Sequence, residues 1–162
     1  MGYYHIAQVC LNGHMINDSY DTHPELNQIF CSKCGSEAIA KCPNCGSNIH
    51  GDYEVPGVSW AGGTESPDAY CYNCGKPYPW TEKAINCARA LIEEDDQLKP
   101  DEKQQFSDTL PDLIVQSPTP NTQLSAVRFK RLIAKAAVST GDAIKSIIVD
   151  IASEAIIKSL GM

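Results

Sequence analysis

The sequence of 162 residues predicts two parts, a small β-rich module that paired cysteines hold together and an α-helical region that follows it. Three observations support this fold class. Seven of the eight cysteines lie in residues 1–80. The motif CxxCG occurs three times there, and CLNGH near the start is a related half-copy. Residues 81–162 instead show apolar residues at helical spacing. We therefore divide the chain into 1–80 and 81–162.

The CxxCG motif is suited to supplying a pair of metal ligands. Its two thiols lie on one side of a tight turn, and its glycine tolerates the positive φ that the turn needs. In CLNGH a histidine replaces the second thiol. The sequence thus supplies four ligand pairs, namely Cys10 with His14, Cys31 with Cys34, Cys42 with Cys45, and Cys71 with Cys74. Because two pairs complete one tetrahedral site, these residues predict two Zn²⁺ ions per chain.

Three arrangements of the four ligand pairs are compatible with their spacing. Pairing in chain order joins the first pair to the second and the third to the fourth. This arrangement is a tandem zinc ribbon, and it is the one we expect. A cross-brace, as in RING-type domains, joins the first pair to the third and the second to the fourth. A third arrangement joins the two middle pairs around one ion and leaves the two outer pairs for the other.

Three further assignments concern single residues. His14 is the expected eighth ligand, and His5 or His50 is its alternative. Cys87 has no partner in sequence and falls in a helical pattern, so we expect it to be a small core residue. Trp60 lies in the long loop between Cys45 and Cys71, where it is expected to pack on the module or to anchor a partner.

Charge and segment composition narrow the classes of function. The amino terminus lacks the features of a signal peptide, and no apolar run is long enough to span a membrane, so we expect a cytoplasmic protein. A reducing compartment favours metal ligation over disulfides. Residues 1–80 contain three lysines against eight acidic residues, and the thiolates add further negative charge. Nucleic-acid binding by this module is therefore disfavoured, because phosphates require a basic surface.

Four helices are predicted in the second part, over about 81–94, 100–108, 122–138 and 142–160. Thr81 is the expected N-cap of the first helix. The segment that contains Pro111, Pro118 and Pro120 is predicted to be an extended connection. Gly141 and Asp142 are predicted to separate the last two helices.

Two surfaces of the helical region suggest contacts with other molecules. The apolar stripe over residues 143–160 is expected to pack inside the chain, and self-association into a homo-oligomer is the second interpretation. The third helix carries a basic face, for which a solvated surface is the first expectation and binding to an acidic partner or nucleic acid the alternative. The basic residues are Arg128, Lys130, Arg131 and Lys135.

Several segments resemble those of a bacterial family of unknown function that is built on a double zinc ribbon with a helical tail. The segments are CLNGH, CSKCG, CPNCGSNIHGDY and CYNCGKPYPWT, which cover about residues 9–81, and SEAIIKSL near the end. The junction CGKPYPWT is more distinctive than the cysteine turns, which many unrelated proteins share. The resemblance implies zinc binding and no established reaction.

These observations lead to a first functional hypothesis, a non-enzymatic zinc-binding interaction or adaptor protein with an unidentified protein partner. Four protein ligands at each ion leave no open coordination position for catalysis. A RING-like component of a ubiquitin-type ligase is an alternative that requires the cross-brace. A nucleic-acid-binding protein that uses the basic 128–135 face is a further alternative.

Overall fold

The structure, a computed structural model, describes residues 1–59, 62–115 and 117–162. The expected role of Trp60 therefore falls outside the described residues. The chain divides into two compact units, Met1–Trp80 and Thr81–Met162. The described strands lie in the first unit, and the second unit is helical.

Short antiparallel strands build the first unit. The strands are β1 (Tyr3–Ile6), β2 (Gln8–Cys10), β3 (Met15–Asn17), β4 (Ala38–Ile39) and β5 (His50–Glu54). Strand β1 pairs with β5, whereas β2 lies between β3 and β4 in a second sheet. The pair Cys10–Ala38 in this second sheet places the end of β2 beside the residues that follow Cys34.

The core of the first unit is small and includes two of the cysteines. Ala7, Val9, Ile49, Tyr78 and Trp80 form one buried cluster together with Cys42 and Cys71. The indole N–H of Trp80 donates to the carbonyl of Asp68 over 3.0 Å, and its ring stacks on that of Tyr78. The first thiol of the third ligand pair and the first thiol of the fourth are therefore part of the apolar interior.

Five α-helices are present in the described part of the chain. They are α1 (Pro79–Glu93), α2 (Pro100–Leu113), α3 (Pro120–Ile133), α4 (Val138–Ile151) and α5 (Glu154–Leu160). The rings of Phe106 on α2 and Phe129 on α3 meet edge to face, with centroids 5.5 Å apart. The apolar stripe over residues 143–160 is largely buried within the chain, since Ile144, Ile148 and Ile156 have no exposed surface.

The first two helices differ from the prediction at their ends. Helix α1 begins at Pro79 instead of Thr81, because proline at the first helical position already has the required φ. Helix α2 continues to Leu113, although an extended connection was predicted from about residue 109. Pro111 lies inside this helix. Burial of Leu110 and Leu113 extends the apolar face of α2 and outweighs the hydrogen bond that proline cannot donate.

The predicted helices over 122–138 and 142–160 are also divided differently. Helix α3 ends at Ile133 and α4 begins at Val138, so Gly141 lies in the first turn of α4 and does not separate two helices. A Cβ atom on Gly141 would lie 3.3 Å from Ile133, which shows how closely the two segments approach. The last predicted helix is interrupted at Ala152, whose backbone is extended. Cys87 is exposed, so its predicted place in the core is wrong.

Asp95 determines where α4 begins. Its carboxylate accepts hydrogen bonds from the backbone N–H groups of Gln97 and Leu98, directly after it, and from that of Ala137, just before α4. The side chain is 2% exposed. Burial opposes ionisation, but hydrogen bonds from the Thr140 side chain and from these N–H groups outweigh it and lower the pKa of Asp95.

We expect Asp95→Ala to lower the free energy of unfolding by about 2–3 kcal/mol, because it leaves three backbone N–H groups without an acceptor. Urea denaturation followed by far-ultraviolet circular dichroism measures this loss. Because the carboxylate has a lowered pKa, its contribution is complete above the unfolded pKa of about 4 and is lost as the pH falls through the folded pKa. The difference in the free energy of unfolding between the wild-type protein and Asp95→Ala should therefore become smaller as the pH falls through the folded pKa of Asp95.

Asp96→Ala is the matched control, since Asp96 is the neighbouring and exposed aspartate. We expect this change to alter stability by no more than about 0.5 kcal/mol. Equal losses for the two variants would contradict the role assigned to Asp95.

Candidate metal centres

The three CxxCG segments fold into the same tight turn. In the first of them the N–H of Cys31 donates to the carbonyl of Ser36 over 2.8 Å, and the N–H of Gly35 donates to the carbonyl of Cys31 over 2.7 Å. The turns that start at Cys42 and Cys71 repeat both bonds. Their glycines have φ values of +72°, +76° and +69°, a region that favours glycine over other residues. Each turn thus presents two thiols on one side.

The CLNGH segment forms a shorter version of this turn. The N–H of Gly13 donates to the carbonyl of Cys10, three residues back instead of four. Glycine consequently occupies the position where the other turns carry their second thiol. The longer side chain of His14, one residue further on, reaches the same location and supplies the second ligand atom.

The four turns bring their side chains together in two groups, each with four ligand atoms within 4.8 Å of one another. The first cluster contains Cys10, His14, Cys31 and Cys34, and the second cluster contains Cys42, Cys45, Cys71 and Cys74. The pairing therefore follows chain order. Neither the cross-brace nor the pairing of the two middle turns is found.

The alternative histidines are engaged elsewhere. His5 is 6% exposed, and its Nε2 lies 2.7 Å from a carboxylate oxygen of Glu54. The ring of His50 lies between those of Tyr4 and Tyr72. His14 is thus the histidine that the structure places among the cysteines.

The distances within the clusters match those of a tetrahedral metal site. With metal–sulfur bonds of about 2.3 Å, two sulfurs lie about 3.8 Å apart, and a sulfur and a histidine nitrogen lie about 3.5 Å apart. In the first cluster Cys10 Sγ is 3.7 Å from Cys34 Sγ and 3.5 Å from His14 Nδ1. In the second cluster Cys42 Sγ lies 3.9 Å from Cys74 Sγ, and Cys45 Sγ lies 3.7 Å from Cys71 Sγ. All eight cysteines are free, since a disulfide requires about 2.05 Å.

Two asparagines support the clusters, and the sequence analysis did not identify them. Asn12 Nδ2 donates to Cys34 Sγ across the first cluster, and Asn73 Nδ2 donates to Cys45 Sγ across the second. Both follow the first ligand of their own turn by two residues, and each reaches the second cysteine of the opposing turn. Asn44 has the same position in its turn but accepts from Lys76 instead. The sequence position alone therefore does not distinguish them.

Hydrogen bonds and burial shift the pKa values of the thiols in opposite directions. The backbone N–H of Ser36, followed by the Asn12 side chain, lowers the pKa of Cys34 to about 5. The side chain and then the backbone of Ser47, together with Asn73, lower the pKa of Cys45 to about 6. Burial raises the pKa of Cys42 to about 11. Each cluster thus has one exposed cysteine that is a thiolate at neutral pH and is ready to bind a cation.

The basic face near α3 is partly neutralised by contacts with α2. Lys135 forms an ion pair with Glu102, and Arg131 donates a hydrogen bond to Gln105. Arg128 and Lys130 are exposed. Half of the predicted basic surface therefore serves packing between helices of the second unit.

The fold and the clusters define a class of small cysteine-rich protein, in which two four-ligand centres precede a helical unit. The chain belongs to a bacterial family described as "Uncharacterized protein conserved in bacteria" (DUF2321), whose model matches residues 3–160. This result agrees with the resemblance to a bacterial family of unknown function. No curated protein and no solved structure matches the chain. Within the described residues, no helix has both the length and the apolar character needed to cross a membrane.

We expect Asn73→Ala to weaken metal binding at the second cluster by about 10- to 100-fold, because it removes a hydrogen bond that stabilises the Cys45 thiolate. Competition with a chromophoric chelator measures this affinity. Asn44→Ala is the matched control, since Asn44 has the equivalent position in its turn but bonds to Lys76. An equal loss in both variants would contradict a specific role for Asn73.

Proposed function

We propose that this protein binds two Zn²⁺ ions per chain as a tandem zinc ribbon. The observation that carries the proposal is the pair of clusters with tetrahedral ligand spacing. Thiolate and imidazole are the ligands that zinc prefers in four-coordinate structural sites, whereas magnesium and calcium prefer oxygen. One centre would have three sulfurs and one nitrogen, and the other four sulfurs.

The proposed role of the metal is structural. Four protein ligands at each centre occupy every tetrahedral position, so that no position is left for a substrate or an activated water. Cys42 and Cys71 also belong to the buried core of the first unit. Metal binding at the second cluster would therefore contribute directly to the folding free energy.

We extend the proposal to a non-enzymatic interaction or adaptor protein of the cytoplasm. Three large apolar side chains are exposed in the segment just before Cys31, namely Leu26 at 55%, Ile29 at 78% and Phe30 at 62%. Exposed apolar groups so close together are typical of surfaces that bind a protein partner. The rigid turn that follows would hold this segment in one place.

The two alternative functions have weaker support. A RING-like ligase component requires a cross-brace, and the two clusters join in chain order instead. Nucleic-acid binding requires a basic surface. Two of the four basic residues of the 128–135 face, Arg131 and Lys135, are instead engaged by side chains of α2.

Elemental analysis tests the zinc proposal. We expect two zinc ions per chain in protein purified without chelators, and about one in Cys31→Ser, which removes a ligand from the first cluster only. Cys87→Ser is the control and should retain two, since Cys87 is exposed and outside both clusters. Fewer than one zinc per wild-type chain, or iron in its place, would contradict the proposal.

Self-association through residues 143–160 stays a prediction. The exposed side chain of Val149 provides a test of it. Val149 is 47% exposed, whereas the centre of the apolar stripe is buried. If the stripe forms an oligomer interface, Val149→Glu should reduce the mass measured by light scattering to that of one chain, because it places a charge in that interface. Val127→Glu, an exposed valine on α3, is the control. A monomeric wild-type protein would contradict self-association.

A further inference from the structure

A cavity of about 610 Å³ lies beside β5, in a part of the first unit that the two clusters do not use. Its volume is within the range of small-molecule sites, about 300–1,000 Å³. Aromatic and acidic side chains dominate its lining, which includes Tyr4, Asp52, Tyr53, Glu54, Thr64 and Asp68.

An irregularity in the first sheet creates one wall of this cavity. The cross-strand pairs are Tyr4 with Tyr53 and Ile6 with His50, so β5 has one more residue than β1 between the two pairs. This bulge places His50 and Tyr53 on the same face of the sheet as Tyr4. A regular strand would separate them, because residues three apart point to opposite faces.

A second lining segment, which contains Thr64, is fixed to the bulge by Asp18. The Asp18 carbonyl accepts the N–H of Asp52, and it lies so close to Gly51 that an added Cβ would be 2.0 Å away. The Asp18 carboxylate accepts the N–H of Thr64 over 2.9 Å. One residue therefore bonds to two of the segments that line the cavity and fixes them relative to each other.

The aromatic rings of the cavity are held in fixed positions. The ring of His50 stacks between Tyr4 and Tyr72, with centroids 4.0 Å apart on both sides and planes within 9° of parallel. Tyr53 packs against Tyr4 at 4.8 Å. Tyr4 and Tyr53 nevertheless remain about half exposed, at 52% and 47%. Exposed rings in fixed positions can contact a ligand with little loss of side-chain entropy.

The charges of the cavity select the class of ligand. Two acidic residues are available to a ligand there, Asp52 and Asp68, because Tyr3 and His5 already bind the Glu54 carboxylate. None of the described lining residues is lysine or arginine, and the ring of His50, whose Nδ1 lies 3.6 Å from Asp68, is its basic group. The first unit has an excess of acidic residues, which adds to the negative potential. Negative charge repels anions such as phosphates, and tyrosine faces attract cations.

We propose that this cavity, which we call the Tyr4–Asp68 cavity, binds an organic cation with an alkylammonium or guanidinium group. The cationic head pairs with Asp52 and Asp68, and its alkyl stem lies along the rings of Tyr4 and Tyr53. The same chemistry occurs in free polyamines and in the side chains of lysine and arginine. This site is independent of the proposed zinc function.

Calorimetric titration of the full-length protein tests the proposal with defined probes. Nα-acetyl-lysine methylamide and its arginine counterpart should bind, and the norleucine analogue, which has no charge, should not. Binding should weaken as salt is raised from about 0.05 to 0.5 M, since the attraction is electrostatic. Tighter binding of spermidine would assign the cavity to free amines, and tighter binding of a lysine-containing hexapeptide would assign it to a protein segment.

Matched variants connect the binding to this cavity. Asp68→Asn should weaken lysine-analogue binding about fivefold. Glu65→Gln removes the same charge from an exposed residue outside the cavity and should leave affinity unchanged. Tyr53→Leu should cost about three- to fivefold through loss of the aromatic face. Unchanged metal content in each variant would show that the first unit still folds.

Three results of the binding titrations would overturn the proposal. They are equal binding of the norleucine analogue, binding of a neutral sugar in preference to the cations, and no cation binding at about 10 mM. Equal effects of Asp68→Asn and Glu65→Gln would also overturn it, because the attraction would then come from overall charge and not from this cavity.

Discussion

The first unit depends on the collection of eight ligand atoms into two groups of tetrahedral spacing. Its buried apolar cluster is small, and two of its members are the ligands Cys42 and Cys71. Sulfurs less than 4 Å apart repel one another once they are ionised, and a divalent cation between them converts this repulsion into attraction. The strands, which are two to five residues long, are too short to hold such groups together by themselves. Turn geometry and a bound metal would therefore act together where a larger domain would use its core.

The two clusters share one design and differ in one ligand. In both, an asparagine of one turn donates to the outer cysteine of the other turn. In the first cluster the shorter turn at Gly13 replaces a thiol by the imidazole of His14. With a divalent cation, three thiolates and a neutral imidazole give one net negative charge, whereas four thiolates give two. The imidazole of His14 thus makes the first centre less negative than the second by one unit of charge, while both centres keep the hydrogen bond from an asparagine.

Local features of this protein can be predicted from the sequence better than features that depend on distant contacts. The CxxCG spacing names six of the eight side chains that the structure gathers, and the half-copy CLNGH names Cys10 and His14, because each turn is completed within six residues. For the histidine, the sequence left His5 and His50 open as alternatives. The start of α4 depends on a carboxylate 42 positions earlier in the chain, which no local pattern reveals. Pro111 inside α2 depends on the burial of its neighbours. Asn73 and Asn44 have equivalent positions, and only the facing turn decides which of them reaches a sulfur.

The unequal exposure of the cysteines has a consequence for how an ion would enter and leave. Cys34 and Cys45 are exposed, while Cys10, Cys31, Cys42 and Cys71 are buried. A small thiol or another chelating molecule that approaches from solvent would meet the outer sulfur of each centre first. Exchange would then proceed by stepwise ligand substitution, with one bond replaced while three remain. Metal would therefore enter and leave each centre mainly at its most exposed ligand, Cys34 or Cys45, since His14 and Cys74 are only partly exposed and the remaining ligands are buried.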